Sequence, residues 1–508
     1  MKSIINKIVA KYLKFRMSGI ERFKKYPFET QDQIFRFLIE NGKKTKWGEE
    51  FSFVNIKRYE DYRKSVPISV YDELKPWIQR MMHGERDVLW PGKIDMYSKS
   101  SGTTEDKSKF IPTSSDNLYN CHIKGGWDAV TIYYGNKPEA QLFTYKNLIL
   151  GGSLQEFPEN PEIKIGDISA LMMSNMPYLG KAFQTPENKV ALLPDWNKKI
   201  PQMTKITATE DVSSIGGVPS WLLVLIREIL KQENKESIID IWPNLEVYFH
   251  GGVNFSPYRK QFEEIIPKND FTYMNVYNSS EGYFAIQMES GSSNDDMLLL
   301  LDSQIFYEFI PFDQFGSSNP DVMSLREVQS GINYVMLIST TSGMWRYVIG
   351  DTVEFTCLNP FKIRITGRTK HYINVFGEEV MVSNTDKALE ITLNKHKSLI
   401  EEYTAGPIFL DGTHKGGHQW VIEFIEPPVD LNLFTRDLDL CLQSLNSDYE
   451  AKRFNDFVLH ELEISVVPRG TFYKWMESRG KLGGQNKVPR LSNSRKYIEM
   501  LLEIAKEM

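Results

Sequence analysis

Residues 94–110 read IDMYSKSSGTTEDKSKF, in which a short apolar pattern runs into a loop dense in hydroxyl side chains. The pattern predicts a strand over residues 94–98. The loop then supplies, in order, Ser100, Ser101, Gly102, Thr103, Thr104 and Lys109. Hydroxyls and unhindered backbone N–H groups bind phosphate oxygens, and a lysine offsets their charge. The G-x-x-x-x-G-K-[ST] spacing of a P-loop is absent, and a solvated polar turn is the plainer interpretation.

Helices and strands alternate around this loop, which predicts an α/β core. Residues 31–85 have helical periodicity, and residues 221–231 predict a further helix. Strands are predicted over residues 141–150, 245–249, 271–277 and 283–287. After about Met297 the strands are short and closely spaced, a pattern typical of antiparallel β structure.

A turn-rich, charged segment at residues 367–377 indicates a domain boundary. The next helix is predicted to begin near Asn384 or Thr385, because both residue types favour the N-cap position. The remaining chain predicts strands at residues 408–410, 420–425 and 464–467 and helices at residues 431–445 and 495–506, enough for a small α+β domain. We therefore divide the chain into a large N-terminal domain, residues 1–370, and a small C-terminal domain, residues 371–508.

Charge and cysteine content exclude several classes of protein. Sixty Lys and Arg against 66 Asp and Glu give a formal charge of −6, which offers no reason to expect nucleic acid as a partner. The three cysteines lie far apart, without the pairs of a zinc site or disulfide framework, so a cytoplasmic location is expected. No apolar run could span a bilayer. The basic, amphipathic N-terminus is interpreted as a helix docked on its own domain rather than on a membrane.

Two short motifs between predicted strands could contact a nucleotide. Residues 277–282 read YNSSEG: the carboxylate of Glu281 could hold Mg²⁺, and Tyr277 could stack on a base. A hairpin turn with an exposed glutamate is the plainer interpretation. In the second motif, Gly251 and Gly252 follow His250 and could let the backbone approach a flat ligand, or could simply form a tight bend.

Two later motifs add charged groups. Residues 345–351 read WRYVIGD and residues 367–370 read GRTK, so Asp351 and Arg368 could bind the hydroxyls of a ribose. An ion pair across a β-turn is the alternative. Residues 483–490 read GGQNKVPR and place Lys487 on a glycine-flanked loop, where it could close over a reacting carboxyl and phosphate. An ordinary exposed lysine is the alternative.

These motifs, in this order, resemble the core motifs of the adenylate-forming superfamily, which includes acyl-CoA synthetases and firefly luciferase. SSGTT, YNSSEG, RYVIGD and the Gln-x-Lys-x-Pro-Arg loop are more specifically similar to the Gretchen Hagen family of acyl-acid amido synthetases. That family is known from plants and has bacterial relatives, among which we expect this chain. The similarity covers nearly the whole chain, including KTKWGEEFSF and HGGVNFSPY. It implies a luciferase-like N-terminal adenylation domain with β-barrel-like and sheet subdomains, and a mobile C-terminal domain.

The resemblance also implies a role for each motif residue. Ser100, Ser101, Gly102, Thr103, Thr104 and Lys109 would form the phosphate loop, with Ser279 and Ser280 also at the nucleotide. Gly251 and Gly252 would form the wall of the base pocket and Tyr277 would face adenine. Glu281 would bind Mg²⁺, Asp351 and Arg368 the ribose, and Lys487 would bridge the acid carboxylate and the α-phosphate. The hinge between the domains would lie at Lys370 and His371.

The implied activity uses ATP and Mg²⁺ to convert a small carboxylic acid into an acyl-adenylate, whose acyl group then passes to an amino acid. An acid:CoA ligase of the phenylacetate type shares every ATP-binding motif and stays open as an alternative. A non-catalytic nucleotide-binding protein is the alternative from another class. Neither a nucleic acid nor a membrane is an expected partner, and a monomer is the default.

Overall fold

The computed structural model describes residues 2–100, 109–289, 296–369, 372–373, 378, 380–409, 416–453, 459–482 and 486–508. Its helices are α1 (Lys2–Lys25), α2 (Pro27–Gly42), α3 (Lys46–Glu50), α4 (Tyr59–Ser65), α5 (Tyr71–Met82), α6 (Ser115–Asn117), α7 (Lys124–Asn136), α8 (Ile168–Ser174), α9 (Tyr178–Phe183), α10 (Asn188–Ala191), α11 (Trp196–Thr207), α12 (Pro219–Glu233), α13 (Ser256–Ile265), α14 (Val382–His396), α15 (Leu431–Leu445), α16 (Ser447–Arg453), α17 (Thr471–Ser478) and α18 (Lys496–Lys506). A π-helical segment, Leu118–Ile123, joins α6 to α7.

The strands are β1 (Met96–Ser100), β2 (Lys109–Pro112), β3 (Lys146–Leu150), β4 (Leu154–Phe157), β5 (Asn160–Gly166), β6 (Gln184–Thr185), β7 (Val212–Gly217), β8 (Val247–Gly251), β9 (Thr272–Asn278), β10 (Tyr283–Gln287), β11 (Met297–Leu299), β12 (Ile305–Pro311), β13 (Met323–Ser324), β14 (Asn333–Thr340), β15 (Tyr347–Leu358), β16 (Phe361–Arg368), β17 (Tyr372–Ile373), β18 (Val380–Met381), β19 (Leu399–Ile408), β20 (Gly417–Glu426) and β21 (Glu463–Val467). None of the described helices is both long and apolar enough to cross a bilayer.

The chain forms two compact units. Unit 1 consists of Met1–Gly252, Ile265–Ile349 and Val353–Arg364. Unit 2 consists of Val253–Glu264, Gly350–Thr352 and Ile365–Met508. The α/β class with a large N-terminal part and a smaller C-terminal part is thereby confirmed.

A long mixed sheet organises unit 1. Its strand order is β13-β12-β14-β15-β16-β11-β10-β9-β8-β7-β3-β6. The pairs β3/β6, β3/β7, β7/β8 and β8/β9 are parallel, whereas β9/β10, β10/β11 and β12/β14 are antiparallel. The antiparallel β structure predicted after Met297 is thus confirmed. A separate sheet, β2-β1-β5-β4, carries the start of the hydroxyl-rich loop.

The N-terminal helix docks on unit 1, as the sequence predicted. Asn6 donates from Nδ2 to the Ala140 carbonyl (2.8 Å) and accepts from the Tyr134 hydroxyl (2.6 Å). Arg16 pairs with buried Asp128 at 2.7 Å. Val9 and Leu13 lie between these polar anchors in the main core of unit 1. One face of α1 is therefore fixed by both apolar and polar contacts.

Unit 2 is built on the sheet β19-β20-β21, which is covered on both faces. Trp420 and Ile422 of β20 belong to the core that α14 and α15 close, whereas Val421 faces α17 and α18. This alternation follows the two-residue period of a strand.

Two sequence predictions were wrong in unit 2. Helix α14 begins at Val382 because Asn384 accepts the Met381 N–H from inside the first turn (2.9 Å), and the strand expected at residues 408–410 lies earlier, at β19.

A buried ion pair joins β12 to the start of β15. Arg346 donates from Nε to both carboxylate oxygens of Glu308 (3.1 and 3.0 Å), and both side chains are almost fully buried. The guanidinium also donates to the Val66 carbonyl (2.7 Å), and Tyr59 donates its hydroxyl to Glu308 (3.0 Å). The arginine of the WRYVIGD motif is therefore a structural residue that ties the helical entry region to the sheet.

Arg346→Met should lower the free energy of unfolding by about 3–5 kcal/mol, because the buried Glu308 carboxylate loses its partner. Arg364→Met is the matched control: Arg364 pairs with Glu354 at 3.1 Å at a partly exposed position, where the expected loss is below about 1 kcal/mol. Urea unfolding followed by tryptophan fluorescence measures both variants. Equal losses in the two variants would contradict a structural role for the buried pair.

Candidate functional site

The carboxyl ends of β3, β7, β8 and β9 lie along one edge of the unit 1 sheet, because these neighbouring strands are parallel. In open α/β sheets this edge is where ligands bind, since the loops that leave the strands diverge there. Two predicted motifs, at residues 250–252 and 277–282, leave β8 and β9 at this edge. The fold therefore brings together segments that are about 25 residues apart in the sequence.

Two glycines at the end of β8 satisfy different backbone requirements. A Cβ on Gly251 would lie 2.3 Å from the Val276 carbonyl oxygen of β9, so only glycine allows this close approach. Gly252 has a φ of +88°, a conformation that other residues rarely adopt. Next to them, His250 is buried. The glycines thus bring the backbones of β8 and β9 close together at the edge.

The β9–β10 connection holds Glu281 in a turn. Ser279 donates its hydroxyl to Glu281 Oε2 (2.8 Å) and accepts the Glu281 N–H (3.2 Å). The Ser279 N–H donates to the Gly282 carbonyl (2.9 Å), which closes the turn, with Ser280 inside it and half-buried. Glu281 is only 9% exposed, so the plainer interpretation was right about the hairpin and wrong about an exposed glutamate. Tyr277 is also buried, with its ring 4.8 Å from that of Phe284.

The hydroxyl-rich loop is described at its two ends. Ser100 ends β1, Lys109 begins β2, and the two are register partners in an antiparallel pair. Lys109 Nζ lies 5.4 Å from the centre of the Tyr71 ring, and Tyr71 accepts the Phe110 N–H through its hydroxyl (2.8 Å). The remaining residues of the predicted loop lie outside the described residues: Ser101, Gly102, Thr103 and Thr104.

A buried histidine contacts the end of β9, and sequence reasoning missed it. His122 Nδ1 lies 3.2 Å from Asn278 Oδ1, and the Asn278 amide also approaches Met172 Sδ of α8 (3.9 Å). His122 Nε2 is buried without a hydrogen-bond partner. Burial lowers the pKa of His122 to about 4, although the Asn278 hydrogen bond acts in the opposite direction. The imidazole is therefore neutral near pH 7.

A buried lysine at the same edge was also missed. Lys199 of α11 donates to the Gly151 and Gly152 carbonyls just after β3, at 2.6 and 2.9 Å. Burial lowers the pKa of Lys199 to about 8, with the charge of Asp167 acting in the opposite direction. The Lys199 ammonium therefore stabilises two backbone carbonyls that lie beyond the end of β3. In the sequence Lys199 is an ordinary helical lysine, so no local signal could have identified it.

In unit 2, Asp351 and Arg368 lie side by side. Arg368 Nε, at the end of β16, is 2.7 Å from Asp351 Oδ1, in the first half of β15. The Thr369 N–H donates to the Gly350 carbonyl (2.8 Å), and Gly350 has a φ of +88°. The ion pair of the plainer interpretation is thus present, and the ribose role stays a prediction. Lys370 and His371, the predicted hinge, lie outside the described residues.

The segment that follows Lys487 is fixed to β19. Thr404 donates its hydroxyl to the Pro489 carbonyl (2.7 Å), and the Ala405 N–H donates to the Arg490 carbonyl (2.8 Å). The Arg490 guanidinium lies 4.5 Å from the centre of the Tyr403 ring and pairs with Glu402. Lys487 itself is half-buried, two residues before this anchor. The backbone near the lysine is therefore well supported.

The donor set of the YNSSEG turn fits a magnesium ion that a nucleotide brings with it. Mg²⁺ prefers oxygen ligands and is often held by one or two carboxylates together with substrate phosphates. Glu281 supplies such a carboxylate. Within the described ranges, no group of three or more His, Cys, Asp or Glu could hold a metal ion by itself.

Protein stability should fall as the pH drops from about 6.5 to about 4, because His122 is protonated in the unfolded chain before it is protonated in the folded one. The unfolded state binds more protons across this window, and the stabilisation is fully present above it. The His122→Gln variant should show a smaller slope of unfolding free energy against pH. His83→Gln, at an exposed position, is the control. Urea midpoints between pH 7 and 4 test this, and equal slopes in wild type and His122→Gln would contradict it.

Comparison with known proteins gives matches along nearly the whole chain. The GH3 family N-terminal domain matches residues 16–271, the central domain residues 298–368 and the C-terminal domain residues 383–496. Indole-3-acetic acid-amido synthetase GH3.3 of Arabidopsis thaliana is 23% identical, over 93% of this chain and 90% of that protein. The 4-substituted benzoates-glutamate ligase GH3.12 of Arabidopsis thaliana is 23% identical, over 98% of this chain and 97% of that protein.

Solved structures share the fold. A GH3.15 acyl acid amido synthetase superposes with a TM-score of 0.78 at 18% identity, covering 97% of this chain and 95% of that one. A 2-hydroxyisobutyryl-CoA ligase in its postadenylation state gives a TM-score of 0.59 at 13% identity, covering 94% and 92%. The N-terminal family match alone spans half of the chain, and the motifs predicted the same family. The chain belongs to the GH3 family, the Gretchen Hagen family of acyl-acid amido synthetases.

Proposed function

We propose that this protein is an ATP-dependent acyl-acid amido synthetase. It activates a small carboxylic acid as an acyl-adenylate with release of pyrophosphate, then transfers the acyl group to an amino acid amine with release of AMP. The observation that carries the proposal is the buried Glu281, which Ser279 holds in the turn after β9, at the edge where the parallel strands β3, β7, β8 and β9 end. This is the position at which an α/β fold presents groups to a nucleotide.

The chemistry requires activation because a carboxylate has no adequate leaving group. Attack of the acid on the α-phosphate of ATP makes AMP the leaving group for the second step. Both reactants are anions, so positive charge near the phosphates must offset their repulsion, and one preorganised group of this kind contributes about 3 kcal/mol. Mg²⁺, when bound, would supply part of that charge.

Each site residue has one role in this proposal. The phosphate loop with Ser100 and Lys109 binds the triphosphate, and Tyr277 with Gly251 and Gly252 binds adenine. Glu281 would hold the Mg²⁺ ion that accompanies ATP. Asp351 and Arg368 bind the ribose. Lys487 contacts the acid carboxylate and the α-phosphate during adenylation. The roles are supported by the family motifs and by the oxygen and nitrogen donors that these residues present.

The protein works, in this proposal, as a monomer in the cytoplasm. Its adenylation domain spans residues 1–370 and its mobile domain residues 371–508. A thioester-forming ligase is the competing activity, because the fold is shared with a CoA ligase. The acceptor distinguishes the two reactions, since CoA presents a thiol and an amino acid an amine.

Acid-dependent ATP–pyrophosphate exchange across a panel of carboxylic acids tests the first half-reaction. Products formed with amino acids and, separately, with CoA are then identified by mass. An amide supports the proposal, and a thioester as the sole product would assign the chain to the CoA ligases. Absence of exchange with every acid, combined with nucleotide binding in calorimetry, would contradict catalysis.

Lys487→Ala should lower exchange by about 10²–10³-fold while ATP still binds, because the lysine acts on charge that develops during adenylation. Lys496→Ala, an exposed lysine of α18, is the matched control and should retain exchange. Calorimetry measures nucleotide affinity in both variants. Full exchange activity in Lys487→Ala would refute the assignment.

Lys370→Pro should slow amide formation selectively, because a proline restricts the backbone rotation that a hinge between two half-reactions needs. Adenylate formation is measured by exchange, and the second step by single-turnover transfer from preformed adenylate. Equal slowing of both steps would count against a hinge at Lys370 and His371.

A further inference from the structure

Helix α1 carries an apolar stripe that unit 1 leaves uncovered. Ile4, Ile8, Tyr12 and Phe15 are 63, 65, 52 and 76% exposed. With 3.6 residues per turn, these four side chains fall within an arc of about 80° and extend over about 16 Å. We call them the α1 stripe. Single exposed apolar residues are common on proteins, but a continuous row of this kind indicates an interaction site.

The orientation of the α1 stripe is fixed. Asn6 and Arg16 make their hydrogen bonds and ion pair on another face of the helix, with Val9, Leu13 and Ile20 packed in the core between them. The helix therefore cannot rotate to bury the stripe in its own domain without breaking these contacts. A binding partner is therefore needed to cover the α1 stripe.

A row of lysines runs beside the α1 stripe. Lys7, Lys11 and Lys14 are exposed, and on the helix they fall within an arc of about 60° adjacent to the stripe. Residues 2–20 contain no Asp or Glu. The first acidic residue, Glu21, already pairs with Lys24 at 2.7 Å. The exposed surface of α1 thus combines apolar side chains with positive charge that no acidic residue within residues 2–20 offsets.

We propose that the α1 stripe docks on an anionic phospholipid surface. Ile4, Ile8 and Phe15 would enter the boundary between headgroups and acyl chains, and the lysine row would lie at the lipid phosphates. This combination of an apolar stripe flanked by lysines is what helices that lie in the membrane interface present. A second copy of the chain is a poorer partner, because it would bring three further lysines to the same row. The proposal is independent of the reaction proposed above.

Co-sedimentation of the intact 508-residue chain with vesicles tests the proposal. Binding is expected to phosphatidylcholine vesicles that contain phosphatidylserine, and to be weak with phosphatidylcholine alone or at high salt, because salt screens the lysine row. The double variant Ile8→Glu with Phe15→Glu should reduce the membrane partition coefficient at least about tenfold, because binding would no longer bury two large apolar side chains. Replacing Lys7, Lys11 and Lys14 with Gln should remove the preference for phosphatidylserine.

The control carries the same chemical change elsewhere: Val429→Glu with Leu433→Glu, two exposed positions in unit 2. This variant should bind vesicles as the wild type does. Circular dichroism melts confirm that all variants fold. Undiminished binding by Ile8→Glu with Phe15→Glu, or equal binding to both lipid compositions, overturns the proposal. Absence of vesicle binding by the wild type also overturns it. If the wild type is then a dimer and the Ile8→Glu, Phe15→Glu variant is a monomer, the α1 stripe is the contact with a second copy of the chain.

Discussion

The site depends on the parallel alignment of β7, β8 and β9, because parallel strands must all end at the same edge. Each connection between them crosses back over the sheet, so segments distant in the sequence leave the edge as neighbours. The close approach of β8 to β9 adds a second constraint. The Val276 carbonyl occupies the space that a Cβ on Gly251 would need, which couples the identity of one residue to the spacing of two strands.

Motif residues that stand close together in the sequence have unrelated tasks. Arg346 is buried with Glu308 and joins the entry helices to the sheet, whereas Asp351, five positions later, belongs to unit 2 and pairs with Arg368. A buried charge that keeps its partner is tolerated, and one that loses it is costly. The motif therefore contains one residue of each unit, and the sequence pattern alone cannot tell which residue is buried and which pairs with Arg368.

Regular elements with strong periodicity were predictable from the sequence. The strand over residues 283–287 and the helix over residues 431–445 have the bounds that their apolar patterns indicate. Strand β19 was missed because its sequence, LIEEYTAGPI, contains adjacent glutamates, a glycine and a proline, which have low strand propensity. Helix α14 was started too late because Asn384 accepts a hydrogen bond from inside the first turn, a role that residue preference does not distinguish from an N-cap.

Long-range polar contacts at the edge were not predictable. His122 meets Asn278 across 156 residues of sequence, and Lys199 meets backbone carbonyls 47 and 48 residues away. Backbone carbonyls have no sequence signature at all. The motifs within the loops were visible because they place several polar residues in succession, whereas His122 and Lys199 lie in helical segments without such a run. Sequence reasoning therefore identified the polar loops at this edge and missed the buried residues that support them.

The lysines illustrate how burial separates these two kinds of residue. Lys199 is completely buried and donates to two carbonyls, so its charge is used within the protein. A lysine that acts on a substrate must instead reach solvent or ligand from a supported backbone. Lys487 is half-buried, and its chain is fixed two residues later through Pro489 and Arg490. The backbone beside this lysine is therefore held in place, and a supported backbone is what a group that stabilises a short-lived charge requires.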